Sequence, residues 1–234
     1  LSAGDVRDYG AELVVVATGS RWADSGIVGL RHDPVPGADS SLPHVLTPEQ
    51  VLLEGKRPLG RRVVVYDGEG YFMAPGIAEL LASEGHDVEL VTSLHEVSPF
   101  SYETLEQAFL RRRLHELGVR TREETVVTQI ESGWILAEHE LEGPARVEAD
   151  GVVLVTQRLS NEALYLELKE DPAALEAAGI EGLYRVGDCV APQLIADAIF
   201  DGHRLAREID TEDPARPLPW LRERPLEGAV AVDA

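Results

Sequence analysis

The sequence has few of the residues that build covalent or metal-centred chemistry. Of 234 residues, one is cysteine and one is methionine. Cys189 alone cannot close an internal disulfide, and that usage fits a reducing cytoplasm. No Cys or His spacing matches a metal-ligand set, so an iron–sulfur cluster held by this chain's own thiolates is excluded. Lysine is nearly absent. Only Lys56 and Lys169 accompany the arginines among 21 basic residues, against 42 acidic ones, for a net charge of −21. Such a surface is a poor partner for nucleic acid or an anionic membrane and reads as a solvated acidic face. No apolar run is long enough to cross a bilayer, and no secretory signal opens the chain. The hydrophobic fraction of 44% suffices for a proper core in one large or two smaller domains. The chain opens on Leu1 rather than Met and reads as the start of a fragment.

Residues 12–19, ELVVVATG, form a continuous apolar run closed by glycine, the pattern of a strand buried on both faces of a parallel sheet. Residues 20–46 lack periodicity and read as a surface connection. Thr47, Pro48 and Gln50 form a compact helix start, with Gln50 reaching back as a capping box. A strand over 61–67, a helix over 74–84 stopped by Gly85, and a strand over 87–92 make a βαβ unit. Residues 102–117 carry Leu105, Phe109, Leu110, Leu114 and Leu117 on one helical stripe, with Gly118 as the stop. Short alternating runs over 119–149 predict a β-meander, and 151–156 a buried strand. Helices over 161–169 and 172–178, a strand over 182–187 and a helix over 192–209 follow. Residues 211–234 read as an extended, proline-rich tail.

Three motifs carry the functional reading. The first is the strand end Val16-Ala17-Thr18-Gly19, where Gly19 would let the backbone pass close to a nucleotide. The second is Val186-Gly187-Asp188. Gly187 permits a tight exit from a strand, and Asp188 can accept a hydrogen bond from a ribose or ribityl hydroxyl. The helix after Pro192 would offer its free amides to phosphate. The third is Asp67-Gly68-Glu69-Gly70. Gly68 and Gly70 fit the first two glycines of a G-x-G-x-x-G turn, but Met73 stands at the third. Glu69 adds a negative charge where a pyrophosphate would lie, and no acid ends the strand at 92 to hold an NAD ribose. We read this turn as a dinucleotide site that has lost its ligand. Trp22, Arg111–Arg113 and Cys189 read as packing, a solvated or salt-bridged face, and a buried thiol. No catalytic residue and no metal ligand is identified.

The segments VVVATGSRW at 14–22, HDPVPGADSSLP at 32–43, LTPEQV at 46–51, YFMAPGIAELLASEGHDV at 71–88, RRLHELGV at 112–119 and VGDCVAPQLIADAIFDGHRLAREI at 186–209 together resemble the C-terminal part of the trimethylamine dehydrogenase family. That family includes the dimethylamine and histamine dehydrogenases. The resemblance implies an α/β fold of two Rossmann-like FAD/NAD(P)-binding domains of glutathione-reductase type, one inserted in the other, with a β-meander. Residues 1–45 and 180–210 would form a partial FAD- or ADP-binding domain, and 46–178 an NAD(P)-binding-like domain. It implies ADP or FAD near Thr18, Gly19, Gly187 and Asp188, with Gly68 and Gly70 in an empty inner turn. FMN and a 4Fe-4S cluster belong to an N-terminal TIM barrel that this chain does not match. The parent would be a cytoplasmic, homodimeric amine dehydrogenase passing electrons to an electron-transferring flavoprotein, and the fragment itself would be inactive. Two alternatives share the architecture: part of a 2,4-dienoyl-CoA-reductase-like NADPH-dependent enzyme, or an assembly module without redox role.

Overall fold

The computed structural model describes residues 1–29 and 33–216. Expectations for His32 and for the tail beyond 216 lie outside the described residues. Two compact units emerge: residues 21–159, and residues 1–20 together with the chain from 160 onward. Residues 21–159 are therefore an insertion within the other, outer unit. The divisions fall at 20/21 and 159/160, whereas the sequence reading set them near 45 and 179.

The inserted unit is built on a five-stranded sheet. Its strands in chain order are β3 (Val45–Leu46), β4 (Arg62–Asp67), β5 (Asp87–Thr92), β6 (Arg120–Arg122) and β10 (Gly151–Val155). Their spatial order is β3-β10-β4-β5-β6, all parallel. Strands β4, β5 and β10 are valine-rich because both sheet faces are covered. Val63, Val65, Leu90, Val153 and Val155 face helix α3 (Met73–Ser83), which contributes Ala74, Ile77, Ala78 and Leu81. Val64, Tyr66, Val91, Val152 and Leu154 face the antiparallel meander of β7 (Thr125–Glu131), β8 (Gly133–His139) and β9 (Gly143–Ala149). Each fully buried Val or Leu contributes about 1.5–3 kcal/mol of apolar transfer. Val28 and Val35 join the meander core, which is why 21–45 belongs to this unit and is not a mere surface connection.

Helix α2 (Pro48–Leu52) starts as expected, with Gln50 Oε1 accepting from the Thr47 amide at 3.0 Å. Helix α4 differs from expectation. It spans only Gln107–Glu116 after a 3₁₀ turn at Pro99–Tyr102, because Leu105 adopts a left-handed φ of 62° that interrupts the spiral. Leu114 is buried, but Leu105 and Phe109 are exposed. Strand β6 extends the parallel sheet instead of joining the meander. Arg120 and Arg122 there pair with Glu89, and Arg120 also with Asp87 at 2.6 Å.

The outer unit opens with helix α1 (Ala3–Asp8), capped by Ser2 with Asp5 closing the reciprocal bond at 2.7 Å. Strand β1 (Leu13–Val16) pairs in parallel with β12 (Gly182–Arg185), Leu13 opposite Gly182 and Val16 opposite Arg185. Val16 packs with Ala3, Val6, Leu168, Ile180 and Cys189, beside helices α5 (Ala163–Lys169) and α6 (Pro172–Ala177). These contacts place 160–178 in the outer unit. Leu13 and Val15 remain nearly half exposed, so β1 is buried on one face and not on both. The short strands β2 (Ser20–Trp22) and β11 (Arg158–Ser160) pair with each other. Helix α7 (Ile195–Glu208) follows a 3₁₀ turn at Gly187–Cys189.

Candidate functional site

In the outer unit the end of β1 and the turn after β12 stand together. Gly19 has φ +73°, and a Cβ added there would meet nothing within 4 Å, so the chain is open beside it. Gly187 has φ +68° and leads directly into the turn that carries Asp188. The two motifs are joined by a side-chain bond: the Ser20 hydroxyl donates to Asp188 Oδ2 at 2.9 Å. The Gln193 amide donates to Asp188 Oδ1 at 3.2 Å. Thr18 donates its hydroxyl to the Asn161 carbonyl, and the Asn161 amide donates to the Gly19 carbonyl at 2.9 Å. Gly187 is pinned from α7, where Asp201 Oδ2 accepts its amide at 2.8 Å and Arg204 in turn holds Asp201 at 2.9 Å. A cavity of about 610 Å³ runs along β1 past Val6, Tyr9, Leu13, Val15 and Leu164 to Thr18.

Thr18, Gly19, Gly187 and Asp188 are thus brought into one region of the outer unit. Ser20, Asn161 and Asp201 hold that region and escaped sequence reasoning. Their links to Asp188, Thr18 and Gly187 span 168, 143 and 14 positions, and the two longest leave no local spacing to find. The Cys189 thiol is buried and donates to the Val16 and Val186 carbonyls at 3.1 and 3.2 Å, as a structural thiol.

Gly68 and Gly70 lie elsewhere, in the inserted unit at the end of β4. Their turn is filled by protein. A Cβ at Gly68 would come within 2.4 Å of Val28 Cγ1, and one at Gly70 within 2.3 Å of Leu94 Cδ1 and 3.0 Å of the Phe100 ring. Asp67 Oδ1 accepts the amides of Glu69 and Gly70 at 3.0 and 2.9 Å, the donors that an open turn would aim at a phosphate. Asp67 is fully buried, and burial pushes its carboxyl up to about 6 against the opposing amides of Gly70 and Glu69 and the Thr92 hydroxyl. Burial likewise pushes Glu69 up to about 7. Arg158, 3.3 Å away, opposes that shift and the neighbouring Asp67 adds to it. Trp22 packs in the core of this unit, with the Arg158 guanidinium 5.9 Å from its ring centroid. Arg111 and Arg113 pair with Glu96 and Glu79 at 3.0 and 2.8 Å, as salt bridges of an exposed face.

Residues 46–154 match the model of the OYE-like second α/β domain. Dimethylamine dehydrogenase of Hyphomicrobium sp. (strain x) is 42% identical over 243 residues, covering 96% of this chain and 33% of its own length. Histamine dehydrogenase from Rhizobium sp. 4-9 superposes with a TM-score of 0.85 at 36% identity, over 96% of this chain and 33% of that one. 6-Hydroxypseudooxynicotine amine oxidase from Pseudomonas geniculata N1 gives a TM-score of 0.80 at 36% identity, over 86% of this chain and 29% of that one. The chain thus spans about a third of the length of these relatives.

These matches correct the expected fold class. Residues 46–154 of the inserted unit are an OYE-like second α/β domain, not a Rossmann-like dinucleotide domain of glutathione-reductase type. The parallel sheet and meander invited that reading, but the glycine turn is packed with side chains where a dinucleotide domain keeps a cradle. On identity along nearly its whole length and on superposition over the same span, the chain belongs to the trimethylamine dehydrogenase family, with the dimethylamine and histamine dehydrogenases.

Proposed function

We propose that this chain is the nucleotide-holding C-terminal part of an amine-oxidising flavoprotein. The observation that carries the reading is the 42% identity to a dimethylamine dehydrogenase over 96% of the chain. The whole protein oxidises an amine by two electrons to an iminium, and water hydrolyses that to an aldehyde and a smaller amine. FMN and a 4Fe-4S cluster, bound in a TIM barrel outside this chain, supply the redox chemistry. Electrons leave to an electron-transferring flavoprotein. The assembly is a cytoplasmic homodimer that engages neither nucleic acid nor membrane, in keeping with a net charge of −21.

Within this chain, Thr18, Gly19, Gly187 and Asp188 hold the ADP moiety of a nucleotide, either ADP itself or FAD. The open space at Gly19 and the left-handed exit at Gly187 suit a close backbone approach to a ligand. The chain has no cysteine beyond Cys189 to attach a flavin or hold a cluster.

Two measurements test the reading. Calorimetric titration should detect ADP or FAD binding to the 234-residue chain. A dye-linked assay with di- and trimethylamine should detect no turnover by the same chain. Amine oxidation by the pure chain refutes the assignment of the chemistry to the barrel.

A further inference from the structure

The hydroxyl hydrogens of Thr18 and Ser20 beside Asp188 are both directed into the protein, and this bears on which part of a nucleotide the site can recognise. Ser20 has one hydroxyl proton, and it goes to Asp188 Oδ2 at 2.9 Å. Thr18 has one, and it goes to the Asn161 carbonyl. Each hydroxyl then offers only lone pairs to a ligand. The Asp188 carboxylate is an acceptor as well, oriented on its other oxygen by the Gln193 amide at 3.2 Å. Ser20, Gly187 and Asp188 are each half-buried and Thr18 is exposed, so this rim of acceptors faces accessible space. A phosphate offers mainly acceptors and is disfavoured against such a rim. Sugar hydroxyls, which are donors, fit it.

We propose that Ser20 is a positioning residue that fixes the Asp188 carboxylate to receive the sugar hydroxyls of the bound nucleotide, whether ribose or ribityl. The inference rests on the nucleotide reading above, in which Asp188 receives a sugar hydroxyl, and adds to it the residue that orients the acid. Ser20 acts through Asp188, so its loss should change discrimination between ligands and not merely affinity. A freed carboxylate samples other rotamers and no longer favours a hydroxyl at one place.

The test is calorimetric titration of the full chain with ADP, 2′,3′-dideoxy-ADP and FAD, in wild type, Ser20→Ala and Ser20→Thr. If the ribose is the recognised group, wild type should prefer ADP over its dideoxy analogue by about tenfold, the value of one good hydrogen bond to a charged acceptor. Ser20→Ala should reduce that preference to within about threefold, and Ser20→Thr should restore it. If the ribityl chain is recognised, the same substitution should instead narrow the preference for FAD over ADP. A merely structural serine would weaken all three ligands alike. Unchanged ratios in Ser20→Ala overturn the proposal while leaving the nucleotide reading intact. Failure of wild type to bind either ADP or FAD overturns that reading, and the inference falls with it.

Discussion

Replacing Asp67 by Asn should make the protein more stable at pH 8 and leave it nearly unchanged at pH 4. The Asp67 carboxyl is fully buried and pushed up from 3.8 to about 6. A raised acid favours the folded state when protonated. Its contribution is fully present below the unfolded value near 4 and is lost as pH rises through 6. A rise of about two pH units corresponds to about 3 kcal/mol. Glu69, pushed up from 4.5 to about 7, is coupled to Asp67, so the penalty belongs to the pair and is smaller than two independent shifts. Asn retains an oxygen for the Glu69 and Gly70 amides and removes the charge. Urea denaturation followed by tryptophan fluorescence, at pH 4, 6 and 8, gives the difference between variant and wild type directly. That difference should grow from near zero to about 2–3 kcal/mol across the range. If the two proteins keep parallel stability profiles from pH 4 to 8, Asp67 does not carry a displaced titration and the argument from burial fails.

Two further perturbations probe the two units separately. Gly37 has φ +82°, and a Cβ there would lie 1.8 Å from the Ile130 carbonyl oxygen, a backbone atom that cannot swing aside. Gly37→Ala should therefore cost at least about 3 kcal/mol, combining left-handed strain with a displaced meander strand, and a melting temperature within 2–3 °C of wild type would contradict this. Hydrogen exchange should show residues 13–16 and 182–185, a two-stranded ladder with Leu13 and Val15 exposed, less protected than 63–67 in the middle of the five-stranded sheet. Equal protection in a monomer would show that the outer ladder is covered in solution.

The βαβ core was legible because its signals are local. Val63–Val65 and Val88–Val91 are dense apolar runs, and Thr47-Pro48-Glu49-Gln50 and Gly85 mark helix ends within a few residues. What stayed hidden depends on contacts distant in sequence. Val28 and Val35 sit in an aperiodic stretch and reveal their burial only through Val127 and Ile130 of the meander. Helix α1 was missed although Ser2 and Asp5 spell a capping box, because the apolar run after residue 12 dominated that region. The stripe from Leu105 to Leu117 has helical spacing, but the left-handed turn at Leu105 breaks it, and no propensity forecasts that conformation for leucine. At the candidate site Gly19 and Gly187 were legible as glycines where the chain must turn. The partners of Thr18 and Asp188 are set by how strands β1, β2 and β12 meet, which composition does not encode.

The insertion has a consequence for the order in which the chain can fold. Strand β1 cannot pair with β12 until β12 exists, and Leu13 meets Gly182 at a separation of 169 positions. Closing so long a loop as random coil carries a large entropic penalty. Folding of the inserted unit before that pairing would remove much of it, because the Ala23 amide donates to the Gln157 carbonyl at 2.7 Å and pins the unit's two ends side by side. Once that bond forms, the effective separation between β1 and β12 shrinks to the short arms 17–22 and 158–181. Strand β1 is therefore made before β12 and waits for it, and the insert serves as the clamp that delivers its partner.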